Sequence, residues 1–319
     1  MKYVGILVSM MLVMNLFPLV AFGEEQIPTY IFVDSNGTMD YTSIQEAIDN
    51  ANPGDTIIVQ KGIYYEHLLI DKSIYLIGED KNTTIIDGSF TGTVVTITVD
   101  YVTVKGFSII NCGNNQFDSA LEMEYANYCI IMDNLLYTER EDSKSYAFIN
   151  GIYLSGSNHN LIADNTIKGF FYGMTIGVSD RNIIRRNTFI GNVSEYQFYG
   201  IYMMMSSHNE IYLNTFVDVG ICLFLMFFNN NNEITYNSFE NSMAGAMLVY
   251  SHHNQIRKNN FNKFQLKVMC MKSRQNGITN NYWGRARILP KITWRSIGLA
   301  GYIPWFNIDW RPALKPFNI

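Results

Sequence analysis

The sequence predicts an all-β fold, a single-stranded right-handed parallel β-helix of about ten coils. Three observations predict it: a motif Asn-x-Ile-x-x-Asn-x-Phe that recurs every 22 to 27 residues, apolar and polar residues that alternate within each copy, and a column of asparagines shared by all copies. A fixed period near 22 residues is typical of a solenoid. The six clearest copies are Asn160–Ile167, Asn182–Phe189, Asn209–Phe216, Asn232–Phe239, Asn254–Phe261 and Asn276–Trp283.

The length and alternation of the repeat select the kind of solenoid. About 22 residues of extended chain form one coil of three short strands and three bends, and coils stack about 4.8 Å apart. Gly151–Leu154 and Gly200–Met203 alternate with a period of two, as strands do. A leucine-rich repeat of similar length needs a Leu-x-x-Leu-x-Leu frame, which the copies lack.

The second asparagine of each copy is predicted to form a structural ladder. Asparagine tolerates a left-handed bend between two strands, and its side-chain amide donates to and accepts from the same group one coil away. The predicted members are Asn134, Asn165, Asn187, Asn214, Asn237, Asn259 and Asn281.

The ends of the chain differ from the repeats. Residues 1–23 have the positive start, apolar stretch and small-residue cleavage site of a signal peptide, so we expect an exported protein, extracellular, on the cell surface or periplasmic. Whether the segment is cleaved or kept as an anchor stays open. Residues 24–284 are expected to form the β-helix with its N-terminal cap, and residues 285–319 a Trp- and Pro-rich tail that packs on it.

Residues 29–60 are predicted to cap the first coil. Tyr30–Val33 forms a strand, Thr42–Ala51 a short amphipathic helix, and Thr56–Val59 the first coil strand. Ser43 and Glu46 have the spacing of a capping box. A solenoid needs such a cap because its end exposes unpaired strands and apolar core.

Several short motifs carry a family resemblance. They are Tyr41–Ile48, Gly54–Ile57, Gly62–Glu66, Leu76–Glu79 and Thr84–Gly88. Together with the repeats they resemble the pectin-lyase-like superfamily, and most closely its NosD-like periplasmic and archaeal surface β-helix proteins. This superfamily contains lyases, hydrolases, esterases, epimerases and noncatalytic members, so the resemblance implies the fold and leaves the chemistry open.

Three longer connections, at residues 112–118, 138–145 and 192–198, leave the coils at the same corner and predict the wall of a groove. Outward residues of the Gly-led strands would form its floor, and tyrosine faces with carboxylates suit a sugar. We therefore expect noncatalytic binding of a polysaccharide or cell-surface glycan by Glu122, Glu124, Tyr153 and Tyr202. The two outward columns are expected to be Glu122, Tyr153, Thr175, Tyr202, Leu225, Met247, Met269 and Glu124, Ser155, Gly177, Met204, Phe227, Val249, Met271.

Two other functions remain open. One is a polysaccharide lyase, hydrolase or epimerase acting through Glu122, Glu124 or Asp133, although the pectinesterase and polygalacturonase motifs are absent and no catalytic residue is assigned. The other is a structural or copper-linked accessory protein, because NosD-like proteins are associated with copper-site assembly.

No cofactor is predicted, but Ca²⁺ and copper have weak candidate ligands. These are Asp133 and Asp164 for a cation such as Ca²⁺, His252 and His253 for copper, and Met247, Met269 and Met271 for Cu(I). His159, His208 and His253 fall in one column on alternate coils, about 9.6 Å apart, which is too far to share one ion.

Charge, cysteines and the tail complete the predictions. A net charge of −5 argues against a nucleic-acid partner, and neither a cell-surface partner nor the oligomeric state is fixed. The four cysteines are not expected to form a disulfide framework, and Cys270 points inward.

The tail is expected to run back over the Met-rich outward face, with Trp305 and Trp310 packed on it.

Overall fold

Short strands separated by bends wind into a right-handed parallel β-solenoid of about ten coils, as predicted. The computed structural model describes residues 28–138, 148–191, 198–263, 266–296 and 307–319. The predicted signal peptide lies outside the described residues. Strands of successive coils pair in parallel and in sequence order, so position along the chain is position along the solenoid axis.

Three parallel sheets form the walls. Sheet A contains β1 Tyr30–Val33, β2 Thr56–Val59, β5 Tyr75–Gly78, β8 Thr103–Lys105, β11 Ile130–Met132, β14 Leu161–Ala163, β17 Ile183–Arg185, β20 Glu210–Tyr212, β23 Glu233–Thr235, β26 Gln255–Arg257 and β29 Gly277–Thr279. Sheet B contains β3 Gly62–Tyr64, β6 Thr84–Asp87, β9 Ser108–Ile110, β12 Leu135–Tyr137, β15 Thr166–Lys168, β18 Thr188–Ile190, β21 Thr215–Val217, β24 Ser238–Glu240 and β27 Asn260–Asn262. Sheet C contains β4 Leu68–Ile70, β7 Val95–Ile97, β10 Ser119–Glu124, β13 Asn150–Ser155, β16 Tyr172–Gly177, β19 Tyr199–Met204, β22 Ile221–Met226, β25 Ala244–Val249, β28 Leu266–Met271, β30 Lys291–Ser296 and the antiparallel β31 Asn307–Asp309.

The predicted cap is present, with one added contact. The helix α1 spans Ile44–Asn50, and the Ser43 side chain accepts from the backbone N–H of Glu46. Glu66 supplies the rest of the cap: its carboxylate accepts from the N–H groups of Ile44 and Gln45 at 2.9 and 2.8 Å. In the part of the chain that the structure describes, no helix is long and apolar enough to cross a bilayer.

Inward side chains stack into a continuous core. One aromatic pile runs through sheet B with neighbouring ring centroids 4.8 to 5.1 Å apart, which matches the predicted coil spacing. Its members are Phe189, Phe216, Phe239, Phe261 and Trp283. All four cysteines are buried and none of them forms a disulfide bond, and Cys270 points inward as predicted.

The predicted asparagine ladder is present and fully buried. Oδ1 of Asn165 accepts from the backbone N–H of Asn134 at 3.0 Å, and its Nδ2 donates to the carbonyl of Ile131 at 2.9 Å. The same pattern continues through Asn187, Asn214, Asn237, Asn259 and Asn281. The predicted reason was partly wrong, because the left-handed residue is the one before each ladder asparagine, such as Asp164 (φ 58°) or Leu213 (φ 57°).

Two more ladders were not predicted. The first asparagine of each copy repeats the arrangement, since Asn160 N–H donates to Oδ1 of Asn182 at 2.9 Å. Three residues earlier in the same bend, between sheets C and A, serine does so: Ser157 N–H donates to Oγ of Ser179 at 2.9 Å. Buried side chains therefore satisfy backbone groups at two of the bends, between sheets C and A and between sheets A and B.

The described parts of the tail, residues 285–296 and 307–319, extend and end the solenoid. β30 adds one more strand to sheet C beyond β28, and β31 turns back against β30. Beyond β31, Ala313 N–H donates to the carbonyl of Asn281, and Phe317 exchanges two hydrogen bonds with the Asn260 side chain. Trp310 is 67% exposed, so its predicted packing on the methionines is wrong, and Trp305 lies outside the described residues.

Asp309 is the reason that the tail docks at this end. Its carboxylate accepts from the N–H groups of Asn280 and Asn281 at 3.0 and 2.9 Å and from Nε1 of Trp283 at 3.0 Å. It therefore takes the place that the next ladder asparagine would occupy, and it is completely buried.

Candidate functional site

The four predicted sugar-binding residues lie on one outward face, the outer face of sheet C. Glu122 pairs in register with Tyr153, Tyr153 with Thr175, and Thr175 with Tyr202. Glu124 follows Glu122 by two residues and therefore points to the same side. The structure thus brings these side chains together, while their role in binding remains a prediction.

The predicted columns are wrong by one residue at β22 alone, since Met247 with Met269 and Val249 with Met271 continue them as predicted. Phe224 pairs with Tyr202 and Met226 with Met204, whereas Leu225 is buried in the core. The cause is an extra residue in the bend after β22, where Phe227 and Phe228 both have left-handed backbones. Phe224 therefore lies eight residues before the next Asn motif, whereas Tyr202 lies seven residues before its own.

The acidic end of the face has an unusual electrostatic environment. Burial raises the pKa of Glu122 to about 7, and the nearby negative charges of Glu124 and Asp118 act in the same direction. Thr93 contacts the Glu122 carboxyl at 3.4 Å through its hydroxyl. Near neutral pH Glu122 is therefore partly protonated and is able both to donate a hydrogen bond and to accept one.

An aromatic cluster continues the face, and Tyr202 is its only member that was predicted from the sequence. The ring of Tyr172 lies 5.1 Å from that of Tyr202, and the ring of Tyr199 lies 5.7 Å from that of Phe224. Burial raises the pKa of Tyr172 to about 12, so its hydroxyl stays protonated and remains a donor. The missed signal is local: Tyr172 and Tyr199 are each the first residue of a strand and are followed directly by a glycine.

Those glycines are required by the packing. A Cβ on Gly200 would lie 2.5 Å from the carbonyl oxygen of Cys222 and 2.6 Å from the Phe216 ring. A Cβ on Gly173 would meet the carbonyl oxygen of Gly200 at 2.7 Å. The strand therefore lies against the core at the glycine, and the preceding tyrosine is left on the outer face.

Methionines form the C-terminal part of the face. The Tyr202 hydroxyl lies 3.6 Å from Sδ of Met226. Met247 pairs in register with Met269, and Met271 lies two residues farther along the same strand, on the same side. All of these side chains are half-buried.

The predicted metal ligands do not gather into a site. Asp133 pairs with Lys81 at 2.7 Å, and Asp164 pairs with Arg186 at 2.6 and 2.8 Å. The hydrogen bonds and charge of Arg186 lower the pKa of the Asp164 carboxyl. Across the described ranges, no group of three or more His, Cys, Asp or Glu side chains is arranged to hold a metal ion.

The histidines are separated as predicted. Backbone hydrogen bonds place His159, His208 and His253 in one column, and other residues occupy it on the coils between them. His159 stacks on Tyr128 with ring centroids 5.0 Å apart, and Nδ1 of His252 accepts from the N–H of Arg274 at 3.0 Å.

Residues 48–290 match the family model described as periplasmic copper-binding protein (NosD). The chain belongs to the NosD family. No curated protein sequence matches it significantly. The family's description implies copper, yet the histidines, cysteines and carboxylates described above do not fit a copper site, which leaves the methionine thioethers as donors.

Solved structures similar to this NosD-family chain are pectin-lyase-like β-helix enzymes. An alginate lyase from Paenibacillus sp. is 14% identical, with a TM-score of 0.54 over 80% of this chain and 98% of that one. XylC, in complex with xylose, is 12% identical, with a TM-score of 0.55 over 85% and 72%. An α-1,3-glucanase catalytic domain bound to nigerose is 11% identical, with a TM-score of 0.54 over 80% and 58%. At these identities the likeness shows the fold alone.

Proposed function

We propose that this exported NosD-family protein binds a polysaccharide along the outer face of sheet C. One observation carries the proposal: Glu122, Glu124, Tyr153, Tyr202 and the aromatic cluster beside them form one continuous strip. From β10 to β22 the strip crosses five coils, roughly 19 Å at the usual strand spacing, which suits a short stretch of sugar chain.

The chemistry of the strip favours a neutral, hydroxyl-rich glycan. Tyrosine faces provide flat apolar surfaces, and their hydroxyls donate hydrogen bonds. Glu122, Glu124 and Asp118 accept hydrogen bonds from sugar hydroxyls. Their negative charges repel the carboxylate of a uronate, just as the charges of Glu124 and Asp118 oppose ionisation of Glu122. Two of the similar structures hold the neutral sugars xylose and nigerose, which is in keeping with such a ligand.

A glycan array followed by calorimetry tests the proposal. We expect a neutral polysaccharide to bind, and we expect Tyr202→Ala to weaken binding by about three- to tenfold through loss of an aromatic face. Tyr75→Ala is the matched control, because Tyr75 is an exposed tyrosine of sheet A. Absence of binding to every glycan, or equal losses in both variants, would refute the proposal.

The same preparation tests for catalysis. Release of reducing ends or unsaturated products from a bound polysaccharide, abolished by Glu122→Gln, would make the protein an enzyme. Binding without product supports the noncatalytic function.

A second candidate function is Cu(I) binding by thioethers, which the family description and one arrangement favour. Met247 and Met269 are neighbours on adjacent strands, and Met271 lies on the same side. Thioethers are suitable ligands for Cu(I). Titration of Cu(I) against a chromophoric competitor should show a site that Met247→Leu and Met269→Leu remove and that the exposed, distant Met39→Leu retains. Equal copper affinity in all variants would exclude this candidate.

A further inference from the structure

The modest net charge conceals a strong segregation of charge along the chain. Residues 241–319 contain twelve Lys and Arg and a single acidic residue, Asp309, whereas residues 1–240 contain eleven Lys and Arg and 27 Asp and Glu. Because coils stack in sequence order, the basic residues occupy one end of the solenoid. Asp309 is buried and accepts hydrogen bonds from four N–H groups, so it offers no exposed negative charge there.

Four of these cations form a cluster at the terminal coil. Lys267 donates to the carbonyl of Trp283 at 2.5 Å, which places its ammonium beside the segment that leads to Arg285 and Arg287. Burial, together with the charges of Lys291, Arg287 and Arg285, lowers the pKa of Lys267 to about 8. Nε of Arg287 is buried and has no hydrogen-bond partner. The cluster is therefore a region of mutual repulsion.

Large apolar side chains are exposed in the same segments. Ile288 is 92% exposed, Leu289 76%, Trp310 67% and Leu314 58%. The antiparallel register places Asp309 opposite Lys291, so Trp310 leaves β31 beside the residues that lead into β30. Isolated exposed apolar residues are ordinary, but this group interleaves with basic residues at one end of the molecule.

Basic residues combined with exposed aliphatic side chains and tryptophan match the chemistry of a membrane interface. Aliphatic groups enter the boundary between head groups and acyl chains, tryptophan prefers that depth, and Lys and Arg are attracted by anionic lipid head groups. A neutral glycan would use the aromatic faces but would leave the cation cluster without a counterion. An acidic glycan would neutralise the cations but would leave Ile288 and Leu289 in water.

We propose that the C-terminal end of the solenoid, the segments 285–292 and 310–315, docks on the surface of an anionic lipid bilayer without crossing it. Docked in this way, the solenoid would project from the membrane with its acidic coils farthest from the lipid. The outer face of sheet C would remain accessible, so docking does not depend on the proposed glycan binding.

Vesicle sedimentation of the secreted chain tests this proposal. We expect the protein to partition onto vesicles of phosphatidylcholine with phosphatidylglycerol more strongly than onto phosphatidylcholine alone, and less strongly at high salt. Arg285→Gln with Lys315→Gln should weaken binding to anionic vesicles by about fivefold per charge. Ile288→Ser with Leu289→Ser should weaken binding to both vesicles by about fourfold or more, the value for one buried methylene.

The control is Lys61→Gln with Tyr65→Ser, which removes an exposed charge and an exposed ring near the opposite end. All variants carry the same N-terminus, so any membrane affinity of the first 27 residues is common to them. Unchanged thermal melting shows that each variant is folded. The proposal is overturned if the wild type binds anionic and neutral vesicles equally, or if the control loses as much binding as the test variants. It is also overturned if only an acidic polysaccharide or a second copy of the chain binds this end.

Discussion

Replacement of Asp309 by alanine tests how the solenoid is closed. The carboxylate accepts from Asn280 N–H, Asn281 N–H and Nε1 of Trp283. Asn281 and Trp283 are fully buried, so water cannot replace the acceptor for them, whereas Asn280 is half-buried. A buried donor without a partner costs about 1–3 kcal/mol, so two such donors lower the free energy of unfolding by about 2–6 kcal/mol.

Asp309→Asn should have a smaller effect. It retains one acceptor oxygen but turns an NH₂ group toward an N–H donor, so we expect a loss of about 1–3 kcal/mol. The control is Asp71→Ala, an exposed aspartate just after β4, for which we expect a change within about 0.5 kcal/mol.

Urea unfolding followed by tryptophan fluorescence measures these differences. Hydrogen exchange of residues 277–283 locates them, because a solenoid without its cap loses its terminal coils first. If Asp309→Ala unfolds at the same urea concentration as the wild type, and exchange in the last coil is unchanged, then Asp309 does not close the ladder.

Three further outcomes are expected. Asn187→Ala leaves two buried backbone groups of the preceding coil, Asn165 N–H and the Ile162 carbonyl, unpaired. It should lower the free energy of unfolding in urea by about 2–6 kcal/mol; a loss below 1 kcal/mol would contradict the ladder's importance. Gly200→Ala should destabilise the fold strongly through contact with the Cys222 carbonyl, while Gly177→Ala, whose nearest neighbour is 3.7 Å away, should melt like the wild type. The pKa of Glu122 is raised to about 7 from 4.5. Its contribution to the free energy of unfolding is therefore fully present below pH 4.5 and is lost as pH rises through 7. Glu122→Gln should remove that decline in melting temperature, and a parallel pH profile for both proteins would contradict the assignment.

The fold could be predicted from the sequence because every coil has to meet the same physical requirements. Every coil must place apolar residues inside and satisfy the backbone at its bends, so Ile162, Ile184 and Ile211 recur inside and Asn165, Asn187 and Asn214 recur at the bend. Even so, the prediction assigned the left-handed conformation to the asparagine itself. The left-handed residues vary in type, as Asp164, Arg186 and Leu213 show, and therefore give no sequence signal.

Only part of the candidate site could be predicted from the sequence. Glu122 and Tyr153 were found because they lie in coils whose bends match the repeat. Phe224 was missed because one extra residue in the following bend shifts the strand by one place.

By itself the sequence determined the solenoid, the buried ladder, the N-terminal cap and the segregation of charge, because these follow from local patterns and from residue order. Only the tertiary structure decided that the tail closes the last coil through Asp309, that Tyr172 and Tyr199 join the acidic strip, and that Asp133 pairs with Lys81. Each of these depends on which side chains meet across coils, and an insertion of one residue changes that pairing without changing the repeat.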